Sequence, residues 1–463
     1  MIFSSVTFLY VFLPLILAAY YLVPQRGRNL VLLAASLIFY AFGEPVYVLL
    51  LLFSSISDWL HSLYIESHRG RCAAKLALVS SIVINLMLLG FFKYADFFLE
   101  TMNSLLGLSV PLTGVQLPIG ISFFTFQTMS YTIDVYRGRV HAQRNLATFA
   151  TFVCLFPQLI AGPIVRYSDI SRELSERKTS WEDMGLGIRR FVFGLSKKVL
   201  IANALGELCA KFGASQERSV LFCWIYAVAF MLQIYFDFSG YSDMAIGLGR
   251  MFGFHFPENF NYPYLSRSIT EFWRRWHMTL GGWFRDYVYI PLGGNRTSRI
   301  KWIRNLAVVW LLTGLWHGAA WNFVLWGAMF GLLLIVEKLW LGRLLDKLPK
   351  ILQHGYVLLF VLISFVIFNA ANVSEAFSVL VRMFGGCGAA FAGQESLYLL
   401  RSYFVLLVLA VVGSTNLPRR LGLLAADRRY AVVLEPAAIT LLLLAVTAAL
   451  INGSFNPFLY FRF

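Results

Sequence analysis

Charge is what this sequence has least of: only 14% of its 463 residues are Asp, Glu, Lys or Arg, too few to cover the surface of a soluble globule of that length. Acidic residues are scarcer still, 24 against 39 Lys and Arg. Cysteine is rare as well. Its five copies, Cys72, Cys154, Cys209, Cys223 and Cys387, show no CxxC spacing, which excludes a sequence-readable disulfide framework or zinc ribbon. The seven histidines form no HExxH pair, and no GxSxG elbow is present, since Phe238-Ser239-Gly240-Tyr241 lacks its leading glycine. A catalytic zinc wants three protein ligands. The expectation is therefore no metal, and no serine hydrolase triad.

What is abundant is apolar surface. Hydrophobic residues make up 59% of the chain and mean hydropathy is +0.68, the composition of an integral membrane protein. Measured against the roughly 20 residues that span a bilayer, the apolar runs predict about ten to twelve membrane segments, several short or interrupted. The first run, from Val6 to Val23, lacks a basic leader and a small-residue cleavage pattern, so it reads as a retained helix. The net charge of +15 gathers in short segments between the runs: Arg26/Arg28, Arg69/Arg71/Lys75, Arg137/Arg139/Arg144, Lys338/Arg343/Lys347/Lys350 and Arg419/Arg420/Arg428/Arg429. That is the positive-inside pattern of cytoplasmic loops rather than a nucleic-acid surface. It places both chain ends outside the cytoplasm.

Two runs resist simple alternation because basic loops flank each on both sides. Ala147 to Val165 contains Pro157 and Gly162-Pro163, which break helical hydrogen bonding at depths where only protein or a cavity can replace it. The run from Leu306 to Val336 holds a single ionisable residue, His317. An ionisable side chain at bilayer depth is costly, so a functional site is its default reading. Between Arg304 and Lys338 lie 33 residues, ~50 Å as helix, more than one perpendicular crossing and less than two. A broken pair of helices turning between Thr313 and Gly318 is expected, with one long tilted helix as the competing geometry.

Upstream, Tyr264 to Tyr287 shows apolar residues at helical spacing (Leu265, Ile269, Phe272, Trp273, Trp276, Leu280, Phe284) opposite Arg267, Glu271, Arg274 and Arg285, which predicts one amphipathic interfacial helix. His277 falls on its apolar stripe and aims inward. A structural hydrogen bond and a catalytic role both fit it. Asp237 and Asp243 beside a membrane segment need partners, such as Arg250 or Arg285, or must stay protonated.

The segments FWRRWHMTLGGWFRDYVYIPLGG and GLWHGAAWNFVLWG, whose histidines lie forty residues apart, resemble the membrane-bound O-acyltransferase (MBOAT) superfamily. QIYFDFSGYSDMAIGLGRMFGFHFPENFNYPYL, FFTFQTMSYTIDVYRG and FPQLIAGPIVRY extend the resemblance over most of the chain. It runs to the bacterial branch containing the alginate O-acetyltransferase membrane subunit. The resemblance implies an all-α polytopic fold with re-entrant and interfacial helices around a central funnel. It implies one transmembrane domain, residues 1–463, with a catalytic core at about 115–340 and an extracytoplasmic tail at 453–463.

The resemblance also implies roles. His317 becomes the general base and His277 its partner or an oxyanion donor. The activity is transfer of an acetyl or other acyl group from a cytoplasmic thioester, acetyl-CoA foremost, across the bacterial cytoplasmic (inner) membrane for O-acetylation of an exopolysaccharide or other envelope polymer. No bound cofactor is implied. The partners are the lipid bilayer and an extracytoplasmic O-acetyltransferase that takes the group to the polymer. Arg274, Arg275, Lys301 and Arg304 are candidates for the donor's phosphates, with cytoplasmic topology the plainer explanation of each. Phe458-Leu459-Tyr460-Phe461 matches an F-x-Y-F ending in this branch, making Tyr460 a candidate acyl relay or else part of an interfacial aromatic belt. A transporter using intramembrane histidines is the alternative function, although no second copy of GLWHGAAW marks an inverted repeat.

Overall fold

A computed structural model describes residues 1–426, 431–453 and 459, and among them every regular element is helical. The helices that matter below are α1 (Leu13–Leu22), α2 (Arg28–Ala41), α3 (Val48–Ser67), α4 (Cys72–Leu89), α5 (Ile121–Tyr136), α6 (Leu146–Cys154), α7 (Trp181–Ser196), α8 (Val220–Met251), α9 (Ile269–Arg275), α10 (Met278–Phe284), α11 (Arg299–His317), α12 (Trp321–Val336), α13 (Lys350–Asn369), α14 (Gln394–Gly413) and α15 (Ala431–Asn452). Seven stretches among the described residues are long and apolar enough to cross a membrane: Val48–Ser67, Cys72–Leu106, Val220–Met251, Trp321–Leu345, Lys350–Asn369, Gln394–Gly413 and Val432–Asn452. Other apolar runs form shorter or less apolar helices, Phe8–Leu22 among them. The protein is an all-α polytopic membrane protein.

The chain divides into two compact units, Met1–Phe191 with Ser242–Pro257, and Val192–Tyr241 with Glu258–Phe463. In the first, α5 is buried along nearly its whole length and packs against α3, α4 and α6. Lipid tails are as apolar as leucine, so packing and buried hydrogen bonds hold such helices together more than transfer out of water does. Here the bonds centre on Asp58, wholly buried. Ser81 Oγ donates to its Oδ1 at 2.6 Å and Asn85 Nδ2 to its Oδ2 at 2.7 Å, while Thr128 Oγ1 donates to Asn85 Oδ1 at 3.2 Å. The expected irregular run after Ala147 is indeed no crossing helix. α6 has nine residues, about 13 Å, and everything from Phe149 to Val165 is buried.

The second unit contains the hairpin of α11 and α12, the most closely packed pair of helices in it. A Cβ on Gly314 would collide with the Phe323 carbonyl, and one on Gly327 with the Trp310 carbonyl. Small residues at both positions let the two backbones touch. The predicted break is present, and it falls just beyond His317. α11 ends at that residue, Gly318 is extended, and α12 begins at Trp321.

Candidate functional site

The single amphipathic helix expected between Tyr264 and Tyr287 does not form. α9 stops at Arg275, Trp276 is extended, His277 adopts left-handed dihedrals (φ 46°, ψ 52°), and α10 starts at Met278. Helical spacing predicted the inward face correctly but not the kink, because the kink is imposed by a distant strand of irregular chain. Asn261 N–H donates to the Arg275 carbonyl at 2.9 Å and Met278 N–H to the Asn259 carbonyl at 3.0 Å. A non-glycine residue at positive φ costs ~1–3 kcal/mol and persists where its surroundings over-determine it. Histidine is among the residues that tolerate this region best.

Asn259, wholly buried, also fixes the His277 ring. Its Oδ1 accepts from the Thr279 backbone N–H at 3.3 Å and from Thr279 Oγ1 at 2.9 Å. A backbone N–H can only donate, so that Asn259 atom is the oxygen. The His277 Nδ1 lying 3.1 Å from it is then the protonated nitrogen, and the neutral ring carries its lone pair on Nε2. Sequence reading missed Asn259. Its one available signal was an amide inside the aromatic, non-periodic segment PENFNYPYL.

His277 and His317 are brought together, their ring centroids 6.5 Å apart and both side chains buried. Aromatic rings wall the pair. His317 meets Trp326 at 5.0 Å and Phe368 at 5.4 Å, while His277 meets Phe238 edge-on at 4.7 Å and Trp316 at 5.8 Å. Among the described residues no three His, Cys, Asp or Glu side chains gather as a metal site would require.

A second residue the sequence did not reveal ties α9 to α12. Glu337, at the end of α12, accepts the Ile269 and Thr270 N–H groups at 2.6 and 3.0 Å and Thr270 Oγ1 at 2.7 Å. A carboxylate there satisfies donors that a helix N-terminus leaves open. The segment bearing His277 is thus held at both ends, by Glu337 at the start of α9 and by residues 259 and 261 at its close.

The basic candidates are not gathered around them. Arg274, Lys301 and Arg304 are exposed. Arg275 pairs with Glu271 at 2.8 Å, and Arg304 bonds Asn305 Oδ1 at 2.8 Å. Lys301 and Arg304 lie 16 and 13 residues before His317 on α11, about 20–24 Å away along the helix axis. Tyr460 lies outside the described residues. Asp237 and Asp243 do find partners, but not Arg250 or Arg285: Asp237 pairs with Lys198 at 2.6 Å and Asp243 with Arg190 at 2.9 Å.

Residues 82–379 match the model of the MBOAT, membrane-bound O-acyltransferase family. The chain belongs to this family. It is 40% identical over the full length of both chains to a protein of Azotobacter vinelandii named probable alginate O-acetylase AlgI. It is 35% identical to a peptidoglycan O-acetyltransferase of Helicobacter pylori, over 83% of this chain and 80% of that one. A teichoic acid D-alanyltransferase of Bacillus subtilis is 31% identical over 47% of this chain and 58% of its own. The MBOAT match spans both histidines, Asn259 and Glu337, and the protein is accordingly a membrane O-acyltransferase rather than a transporter.

Proposed function

We propose that this protein takes an acetyl group from a cytoplasmic thioester, acetyl-CoA, and delivers it to the outer side of the bacterial cytoplasmic membrane for O-acetylation of an exopolysaccharide such as alginate. The observation that carries the reading is the buried imidazole pair, His317 at the end of α11 and His277 at the kink between α9 and α10, 6.5 Å from ring to ring. A thioester is already activated at its carbonyl, whereas a neutral hydroxyl is a poor nucleophile, so the chemistry needs a base near neutral pKa. His317 is that base.

The hydroxyl it serves is the phenol of Tyr460. His317 takes the phenolic proton as the oxygen attacks the thioester carbonyl. The tetrahedral intermediate collapses with cleavage of the C–S bond, and the proton passes from the imidazolium to the departing coenzyme A sulfur. The product is an acetyl-tyrosine ester. A phenol has pKa ~10, far below an alkyl alcohol, so this ester stays reactive enough to pass its acetyl group to a sugar hydroxyl. An extracytoplasmic O-acetyltransferase partner completes that second transfer and regenerates the phenol.

His277 has a narrower role. With Nδ1–H committed to Asn259, the neutral ring presents an acceptor at Nε2, and it can serve a developing oxyanion only after taking a proton. Arg274, Arg275, Lys301 and Arg304 hold the donor's phosphates at the cytoplasmic side, with the long pantetheine arm reaching inward along α11. Both chain ends are extracytoplasmic, and the 463 residues act as one catalytic domain with its core at about 115–340.

Mass spectrometry of envelope polysaccharide from cells carrying wild-type protein, His317→Ala or Tyr460→Phe tests the reading. Both variants, inserted at normal levels, are expected to leave the polymer unacetylated. Full acetylation with His317→Ala overturns the function, and full acetylation with Tyr460→Phe overturns the relay.

A further inference from the structure

One buried ion pair of the second unit has no part in the acid–base chemistry above. Lys198 Nζ lies 2.6 Å from Asp237 Oδ1, with 4% and 2% of the side chains exposed. Such a pair is weak evidence of stabilisation, because packed apolar residues of similar volume often do as well. Its other carboxylate oxygen shows what else it does. Asp237 Oδ2 accepts the backbone N–H of Leu459 at 3.0 Å, across 222 residues of chain.

Leu459 is buried, 3% exposed. The helix leading to it is the least buried of the seven membrane-crossing stretches, at 6% against 78% for α8, and Gly453 just beyond that helix is exposed. Leu459, six residues later in the sequence, meets a buried carboxylate. The local sequence builds the receptacle. Lys197–Ala202 is a π-turn extending α7, whose extra residue per turn shifts the side-chain register, and α15 packs on that same turn. On α8, Gly240 is three residues after Asp237 and so shares its face. A Cβ there would lie 2.7 Å from the Gly194 carbonyl and 3.2 Å from Lys198 N, so only glycine lets the helix bearing Asp237 come this close to the turn bearing Lys198. The residue after Asp237 is Phe238, whose ring wall meets His277.

We infer that Asp237, neutralised by Lys198, is the docking site of the C-terminal tail and a positioning residue for acyl transfer: it fixes the backbone one peptide unit before Tyr460. This rests on the reading of Tyr460 as the acyl carrier. A carboxylate accepting an N–H makes a stronger bond than a neutral acceptor, and it recognises main chain, so it sets where the tail sits without depending on the side chain at 459. Lys198 pairs with Oδ1 and leaves Oδ2 to the tail.

The test uses full-length protein in nanodiscs with acetyl-CoA. Removing both charges together avoids a lone buried ion, so Asp237→Leu/Lys198→Met is compared with Asp237→Asn/Lys198→Met, which restores an oxygen acceptor. The readouts are hydrogen exchange of the Leu459 amide, acetyl on Tyr460 by mass spectrometry, and KM for acetyl-CoA. The Leu/Met variant is expected to exchange Leu459 at least about tenfold faster and to carry at least about tenfold less acetyl on the tail, with KM unchanged, and the Asn/Met variant to recover most of both. Unchanged amide protection in the Leu/Met variant overturns the docking site. Lost protection with undiminished tail acetylation overturns the positioning role, as does an Asn/Met variant no better than Leu/Met. Should Tyr460→Phe leave polymer acetylation intact, the carrier reading and with it the positioning role fall, while amide exchange at Leu459 still decides the docking.

Discussion

Two buried polar clusters, one in each unit, meet the same physical demand in different ways. Around Asp58 the carboxylate is surrounded by neutral donors from α4, Ser81 and Asn85, with Thr128 of α5 backing Asn85. Each group is answered by a side chain a few ångströms away, which makes a rivet between three helices. Around His277 and His317 the walls are largely aromatic rings, with Asn259 Oδ1 3.1 Å from His277 Nδ1. Nearby, Asp237 takes one partner from a helix turn and the other from the far end of the chain. A saturated network holds a fold together. One walled by π-faces sets two imidazoles side by side, 6.5 Å from ring to ring.

Substitutions on the two sides should separate accordingly. His317→Ala carries the largest expected effect on turnover, ~10²–10⁴-fold, the usual worth of a positioned general base. It is measured as labelled acetyl transferred per folded molecule, and a loss under tenfold would erase the distinction between the clusters. Asn259→Ala should follow at roughly tenfold, since it releases the His277 tautomer without touching either ring. Asn259→Asp keeps the acceptor and should retain more activity, and equal rates for both would mean the tautomer does not matter to transfer.

Arg274→Ala and Lys301→Ala should raise KM for acetyl-CoA by about threefold to tenfold each with kcat nearly unchanged, the signature of lost uniform binding. An unmoved KM would leave these side chains to topology alone. Smallest on activity is Asp58→Ala, expected to leave turnover per folded molecule within about twofold while lowering stability by ~1–3 kcal/mol through donors left unmatched. Thermal unfolding in detergent reads the second number. A catalytic defect with unchanged stability would make the Asp58 network more than a rivet.

His317 was legible because its signal is local: one imidazole inside thirty uncharged residues needs no neighbour to look out of place. The helix break beside it followed from counting, since 33 residues fit neither one crossing nor two. His277 was legible only as an inward-facing residue, and for a reason that proved incomplete. Periodicity assumed one continuous helix, whereas main-chain bonds from residues 259 and 261 bend the chain at the histidine. Arg250 and Arg285 were expected to partner the aspartates because the eye weighs charge along the sequence, while Lys198 and Arg190 were chosen by helix packing.

The sequence by itself determined the class of the protein, the apolar helices and the buried histidine of α11, because composition, hydrophobic length and a misplaced ionisable group are properties of short stretches. The tertiary structure alone decided which nitrogen of His277 bears the proton, what anchors α9, and which carboxylate accepts the Leu459 N–H. Each of those depends on a hydrogen bond between residues far apart in sequence, and a donor's choice among acceptors is made only when the helices have packed.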